Sequence, residues 1–172
     1  MAKIGIDFGS SFTTMSYVNQ QGVATPIRVH GKEKIPTMLY FPEDGSEPLI
    51  GEAAYNKYQD CMDVEDQDCI DAILGGIITG LKHEMSHDSY VATPYGNKSY
   101  VEVIAIFLAY LKKYAEEYEF SGEAITDVCM TYPVSFDWQP EKKDILQKSA
   151  IKAGFKNVRL LKEPVAALMG YE

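Results

Sequence analysis

Ile125-Thr126-Asp127-Val128-Cys129-Met130-Thr131-Tyr132, then Glu141 to Ala153, then Val158-Arg159-Leu160-Leu161 form the stretch that decides the fold class. The first segment is a nearly continuous apolar run, as expected of a strand with both faces covered. Glu141 to Ala153 reads as a helix stopped by Gly154, and Val158 to Leu161 as a second buried strand. Glu163-Pro164 opens another helix, with proline at a first-turn position whose amide lacks an intrahelical acceptor anyway. A strand-helix-strand unit of this length implies parallel pairing through a right-handed crossover. The fold class is α/β.

Working back toward the N-terminus, Val101 to Glu119 reads as an amphipathic helix. Ile104, Phe107, Leu108, Leu111, Tyr114, Ala115 and Tyr118 recur at helical spacing, and Ser121-Gly122 ends it. Tyr90 to Tyr100 reads as two short strands around Pro94-Tyr95-Gly96-Asn97. Glu52 to His87 reads as two or three helical pieces interrupted by Gly75, Gly76 and Gly80; the six acids from Asp60 to Asp71 suit a solvated face. Short strands are expected near Thr25 to Val29, Thr37 to Phe41 and Leu49 to Ile50, punctuated by Pro26, Pro36, Pro42 and Pro48. At the start, Lys3 to Ile6 and Phe12 to Val18 form a β-hairpin whose polar tip is Asp7-Phe8-Gly9-Ser10-Ser11. The predicted architecture is a mixed sheet, a hairpin joined to parallel strands, with flanking helices.

The 172 residues suit one domain or one large lobe. With 46% hydrophobic and 24% charged residues, disordered and fibrous classes are excluded. No apolar run approaches the ~20 residues that span a bilayer, and Met1 to Asp7 meets an acid and a glycine too soon for a signal peptide. Sixteen basic against 25 acidic residues leave a net charge of −9, which argues against nucleic acid or an acidic membrane as partner. Cys61, Cys69 and Cys129 are odd in number with no Cys-x-x-Cys spacing, so neither a disulfide framework nor a zinc knuckle is expected. A reducing cytoplasm is the expected location, and Cys129 is expected to be a buried thiol.

Three places could carry chemistry. In the hairpin tip, Gly9 with the small Ser10 and Ser11 lets backbone N–H groups and hydroxyls face an anion. Asp7 would repel a phosphate directly, so its useful role is to hold a hydrated Mg²⁺; the alternative is an ordinary hairpin turn. Glu163 follows a buried strand and faces the crevice where α/β folds bind ligands, or else merely caps a helix. Pro133 ends the central strand as a turn or as a hinge.

Together these segments resemble a known family. Ile4-Gly5-Ile6-Asp7-Phe8-Gly9-Ser10-Ser11 is similar to the first phosphate motif of actin-like ATPases. Tyr132-Pro133-Val134-Ser135-Phe136, Ala153-Gly154-Phe155 and Leu160-Leu161-Lys162-Glu163-Pro164-Val165-Ala166-Ala167 resemble the connecting segment of the heat-shock protein 70 (DnaK-type) chaperones. The likeness covers both ends of the chain, and the middle, about Thr25 to Ser121, by element order only. It implies a ribonuclease-H-like, actin-like ATPase lobe, with a core subdomain of about 1–24 and 101–172 and an inserted α/β subdomain of about 25–100. It implies ATP/ADP and Mg²⁺ as cofactors. Asp7 would hold the metal through water, and Gly9, Ser10, Ser11 and Phe12 would contact phosphates. Lys82 would reach the γ-phosphate, Glu163 would join the metal and water shell, and Pro133 would switch between nucleotide states. Client polypeptides and co-chaperones are the implied partners, bound through regions outside this chain.

The sequence also departs from that pattern. Ser10 and Ser11 stand where the family has threonines. Trp138 to Lys143 occupies the place of an arginine coupled to the switch proline, with Lys142 or Lys143 as substitutes. Asp71-Ala72-Ile73-Leu74-Gly75-Gly76 is not the family's second phosphate loop, which together with the adenosine pocket is expected on a second lobe absent from this chain. The lobe alone is therefore expected to turn over ATP poorly. Other readings are a sugar kinase, an actin-like filament or scaffold protein, and, from His83-Glu84-Met85-Ser86-His87, a zinc metallopeptidase whose third ligand would have to be Glu102 or an acid among Glu116, Glu117 and Glu119.

Overall fold

A computed structural model describes residues 2–64 and 66–169. β1 (Ala2–Phe8) and β2 (Phe12–Val18) form the antiparallel hairpin, and β3 (Ala24–Ile27) continues it. β4 (Ile35–Pro36) also pairs with β2. β10 (Ile125–Tyr132) runs parallel to β1, and β11 (Asn157–Lys162) runs parallel to β10. The sheet order is β11-β10-β1-β2-β3, the mixed sheet that the crossover argument requires.

Alternation builds the core. Ile4, Ile6 and Phe8 of β1 and Val128 and Met130 of β10 are buried together with Phe107, Leu108 and Leu111 of α4 (Tyr100–Tyr118) and Ile145 and Leu146 of α5 (Pro140–Lys152). The Phe8 and Phe107 rings meet edge to face at 6.0 Å. Each such side chain contributes about 1.5–3 kcal/mol on burial. A capping box fixes the start of α4: the Ser99 hydroxyl accepts from the Glu102 amide, and the Glu102 carboxylate accepts from the Ser99 amide.

The expectation that β10 and β11 are covered on both faces fails among the described residues. Lys3, Asp7 and Arg159 are exposed, while Asp127, Cys129 and Thr131 are half-buried. The apolar side chains of β10 are Ile125, Val128, Met130 and Tyr132; Asp127, Cys129 and Thr131, which point the other way from Val128 and Met130, are polar or small. The Cys129 thiol is accordingly only partly enclosed, not fully buried, although desolvation still pushes its pKa up.

The middle of the chain builds a smaller unit. β5 (Leu39–Tyr40) is flanked by β6 (Leu49–Ile50) and β7 (Ile77–Ile78), beside α1 (Glu52–Val64) and α2 (Gln67–Gly76). Gly75 and Gly76 are the last two residues of α2, and the helical stretch breaks there. At Gly76 a Cβ would stand 2.2 Å from the Phe41 carbonyl oxygen and 2.8 Å from the Tyr40 ring, so the helix end approaches β5 only because that residue has no side chain. Tyr40, Ala54, Cys61 and Ile73 form the fully buried part of this second core. Contrary to the cysteine count, Cys61 and Cys69 are joined in a disulfide, with Cα atoms 5.5 Å apart. Odd totals exclude full pairing, not one pair, so the cysteine argument for a reducing compartment loses its footing. α3 (Leu81–Glu84) and the hairpin of β8 (Tyr90–Thr93) and β9 (Gly96–Ser99) complete the path to α4; α6 (Glu163–Met169) follows β11. No described helix is long and apolar enough to cross a membrane.

Candidate functional site

β1, β10 and β11 end on the same side, and their C-terminal ends are where parallel sheets gather ligands. Asp7 lies one residue before the end of β1. Its Oδ1 accepts a hydrogen bond of 2.7 Å from the Thr131 hydroxyl, near the end of β10. Thr131 was not singled out from the sequence. The signal was present, since a threonine between Met130 and Tyr132 breaks the apolar run on the face that proves to be open.

Glu163 begins α6 directly after β11. Its Oε1 accepts from Lys82 Nζ at 2.7 Å, across 81 residues of chain. The Lys82 side chain is 9% exposed and that of Glu163 39%. A buried ammonium requires a partner, so this pair fixes Lys82 while leaving the glutamate half open to solvent. Gly80, at φ 68°, turns the chain into α3 and so aims Lys82 inward.

The hairpin tip is constrained as well. A Cβ at Gly9 would sit 2.0 Å from the Phe12 carbonyl oxygen, so only glycine allows the bend. The Thr37 amide donates to the Ser11 carbonyl at 2.9 Å, and the Thr13 and Thr37 hydroxyls meet at 2.8 Å in full burial. Ser10, Ser11, Phe12, Thr37, Gly80 and His83 line a cleft of about 580 Å³. The predicted phosphate tip and both neighbours of the Lys82 segment thus share one concavity. A larger cleft of about 980 Å³ runs along Ala2 to Gly5 and Ser16 to Gln21, but it lies toward the start of β1, away from the strand ends.

Pro133 precedes a 3-10 turn over Val134–Trp138. The two lysines proposed as arginine substitutes diverge. Lys143 donates to Asp137 at 3.1 Å and lies over the Tyr132 ring, whereas Lys142 donates to the His83 carbonyl at 2.6 Å and lies over Phe136. Lys142 therefore ties the start of α5 to the segment that carries Lys82. The carboxyl of Asp137 is held below its ordinary range by hydrogen bonds from Lys162 and then Lys143.

The zinc motif dissolves in the fold. α3 ends at Glu84, so no helix presents both imidazoles on one face. His87 Nε2 lies 2.8 Å from Asp144 Oδ2 instead. Among the described residues, no group of three or more histidines, cysteines or acids is placed to hold a metal.

Comparison with known proteins is decisive at this point: the Hsp70 protein family matches residues 3–172, the segment carrying every element of this site. The chain belongs to the Hsp70 family. Relatives include the chaperone protein DnaK of Mycoplasmopsis agalactiae, 29% identical over 171 residues, and that of Ureaplasma parvum serovar 3, 26% identical over 170 residues. DnaK of Mesomycoplasma hyopneumoniae is 24% identical over 168 residues. Each alignment covers 98% of this Hsp70 chain but 25% of the relative, so the chain spans a quarter of the length of these chaperones. The α/β lobe and the resemblance read from the two ends of the sequence agree with this membership.

Proposed function

We propose that this chain forms the first nucleotide-binding lobe of an Hsp70-type ATPase, in which Mg²⁺-dependent ATP hydrolysis drives the folding of client polypeptides. The Lys82–Glu163 pair carries the reading: a desolvated ammonium held by a half-exposed carboxylate, in the segment whose Gly80 and His83 line the Ser10-Ser11 cleft, is the kind of group that would meet a terminal phosphate. Asp7 and Glu163 are hard oxygen donors, the chemistry Mg²⁺ prefers, and an exposed Asp7 suits binding through water. Bound Mg²⁺ would neutralise phosphate charge. The chain's own groups would do the rest. Amides and hydroxyls of Gly9, Ser10 and Ser11 would grip phosphate oxygens, with Phe12 alongside. Lys82 would stabilise the charge developing on the transferred phosphoryl, and Glu163 would hold Lys82 and orient water. Pro133, joined through the 3-10 turn and α5 to Lys142 and the His83 carbonyl, would relay nucleotide state. The core of about 1–24 and 101–172, the inserted part of about 25–100, a second lobe, co-chaperones and a cytoplasmic location complete the proposal.

Phosphate release from ATP by a longer protein containing this chain is the test. Lys82→Ala is expected to lower kcat by about 10²–10³-fold, the loss typical of removing one transition-state donor. An unchanged kcat would overturn the assignment. Equal turnover by this lobe alone and by the longer protein would overturn the two-lobe reading.

A further inference from the structure

The Cys61–Cys69 disulfide spans the junction of α1 and α2, with a sequence separation of 8. Cys61 is 2% exposed within the second core, whereas Cys69 is only half-buried. Cys69 is therefore the more accessible half of the pair to an incoming thiolate. The surroundings filter which thiolate arrives. Asp60, Asp63, Asp66, Asp68 and Asp71 are all exposed, and no lysine or arginine occurs between Lys57 and Lys82. Such a field slows anionic reagents and is screened by salt.

The bond also bears on the candidate site. The second core is small, and α2 contributes only Ile73 and Gly76 as buried residues. Gly76 abuts β5, β7 pairs with β5, and Thr79-Gly80 leads straight into Lys82. Loosening α2 loosens the anchor of that segment.

We propose that Cys61–Cys69 is a thiol–disulfide exchange site, selective for thiols carrying their own positive charge, whose opening frees α2 and through it the Lys82 segment. A reductant thiolate attacks Cys69 Sγ, the Cys61–Cys69 bond breaks, and Cys61 leaves with the electron pair and takes a proton from water. A second thiolate then displaces Cys69 from the mixed disulfide, leaving two protein thiols and one oxidised reductant. The link to turnover rests on the ATPase reading; the exchange chemistry does not.

The test compares cysteamine, 2-mercaptoethanol and thioglycolate on the protein prepared without reductant, with rates corrected for thiolate fraction. Adducts are mapped by mass spectrometry after alkylation. Cysteamine is expected to be about tenfold faster than thioglycolate at low salt, the gap closing at 1 M salt where screening acts within ~3 Å, with adducts on Cys69. Free alkylation of both cysteines before reduction, adducts on Cys61, or a salt-independent order would overturn the site. Amide exchange of residues 77–84 is expected to speed up on reduction and in Cys69→Ser, and to stay unchanged in Cys129→Ser; equal exchange in the reduced and oxidised forms would overturn the coupling. Slower ATP turnover after reduction is the expected functional result, and unchanged turnover in an active protein would overturn its link to Lys82. A protein with no turnover in either form would count against the ATPase reading and leave the alkylation and amide exchange results standing.

Discussion

Asp7, Thr131, Lys82 and Glu163 show how much one side chain at this site depends on another. Removing one member of an ion pair leaves the other without its compensating charge, at about 3–5 kcal/mol when both are fully buried. Glu163 is 39% exposed, so Glu163→Gln is expected to lower stability by less, about 1–2 kcal/mol. The same change should weaken Mg²⁺-nucleotide binding in calorimetry, while Thr131→Val should weaken it less, since Asp7 keeps its exposure to water. Gly9→Ala faces a 2.0 Å approach to backbone and should destabilise by about 2 kcal/mol or more, with phosphate binding lost in the same variant. Asp7, Gly9, Ser10 and Ser11 could be read from the sequence because a strand-turn-strand writes its tip locally. Thr131 left only a local break in an apolar run, and its pairing with Asp7 left no trace, because the two lie 124 positions apart.

Among the elements, α4 is written most fully in the sequence through its amphipathic spacing and the Ser121-Gly122 stop, and the structure adds the capping box at its start. Ser99→Ala is expected to cost about 1 kcal/mol, and a thermal melt should fall by about 2–4 °C for a chain of this size. α2 depends more on covalent help. Closing a loop with a separation of 8 is worth about 2.5 kcal/mol in the chain-entropy picture, so the reduced protein should unfold at lower denaturant than the oxidised one. α3 shows why a motif needs its element. His83-Glu84-Met85-Ser86-His87 asks for a helix longer than the four residues that form. Met85 instead leaves the helical conformation (φ −57°, ψ 126°) and is fully buried, and His87 turns to Asp144.

Across the whole molecule, the charge network around Asp137 joins β11, α5 and the turn after Pro133 through Lys162 and Lys143. Its carboxyl has a lower pKa when folded than when unfolded. The resulting stability is present above the ordinary aspartate value of ~3.9 and is lost as pH falls through the lower folded value. Asp144, lowered chiefly by the hydrogen bond from Lys148 and also by His87, and Asp127, lowered chiefly by Asn157, titrate in the same sense. Denaturation midpoints should therefore fall below about pH 4, and Asp137→Asn should flatten that fall.

The alternation of strand and helix, the parallel crossover, the amphipathic α4 and the polar hairpin tip were all written in the order and spacing of residues, because periodicity reports locally which positions avoid water. Even there, apolar continuity along β10 overstated the cover, since a run of apolar letters does not say which helix arrives on which face. The Lys82–Glu163 pair, the Thr131–Asp7 bond, the Lys142 tie to α3 and the Cys61–Cys69 bond came from the path of the chain in space. Such partners are fixed by crossovers and close approaches such as that at Gly76, and local spacing carries no record of them.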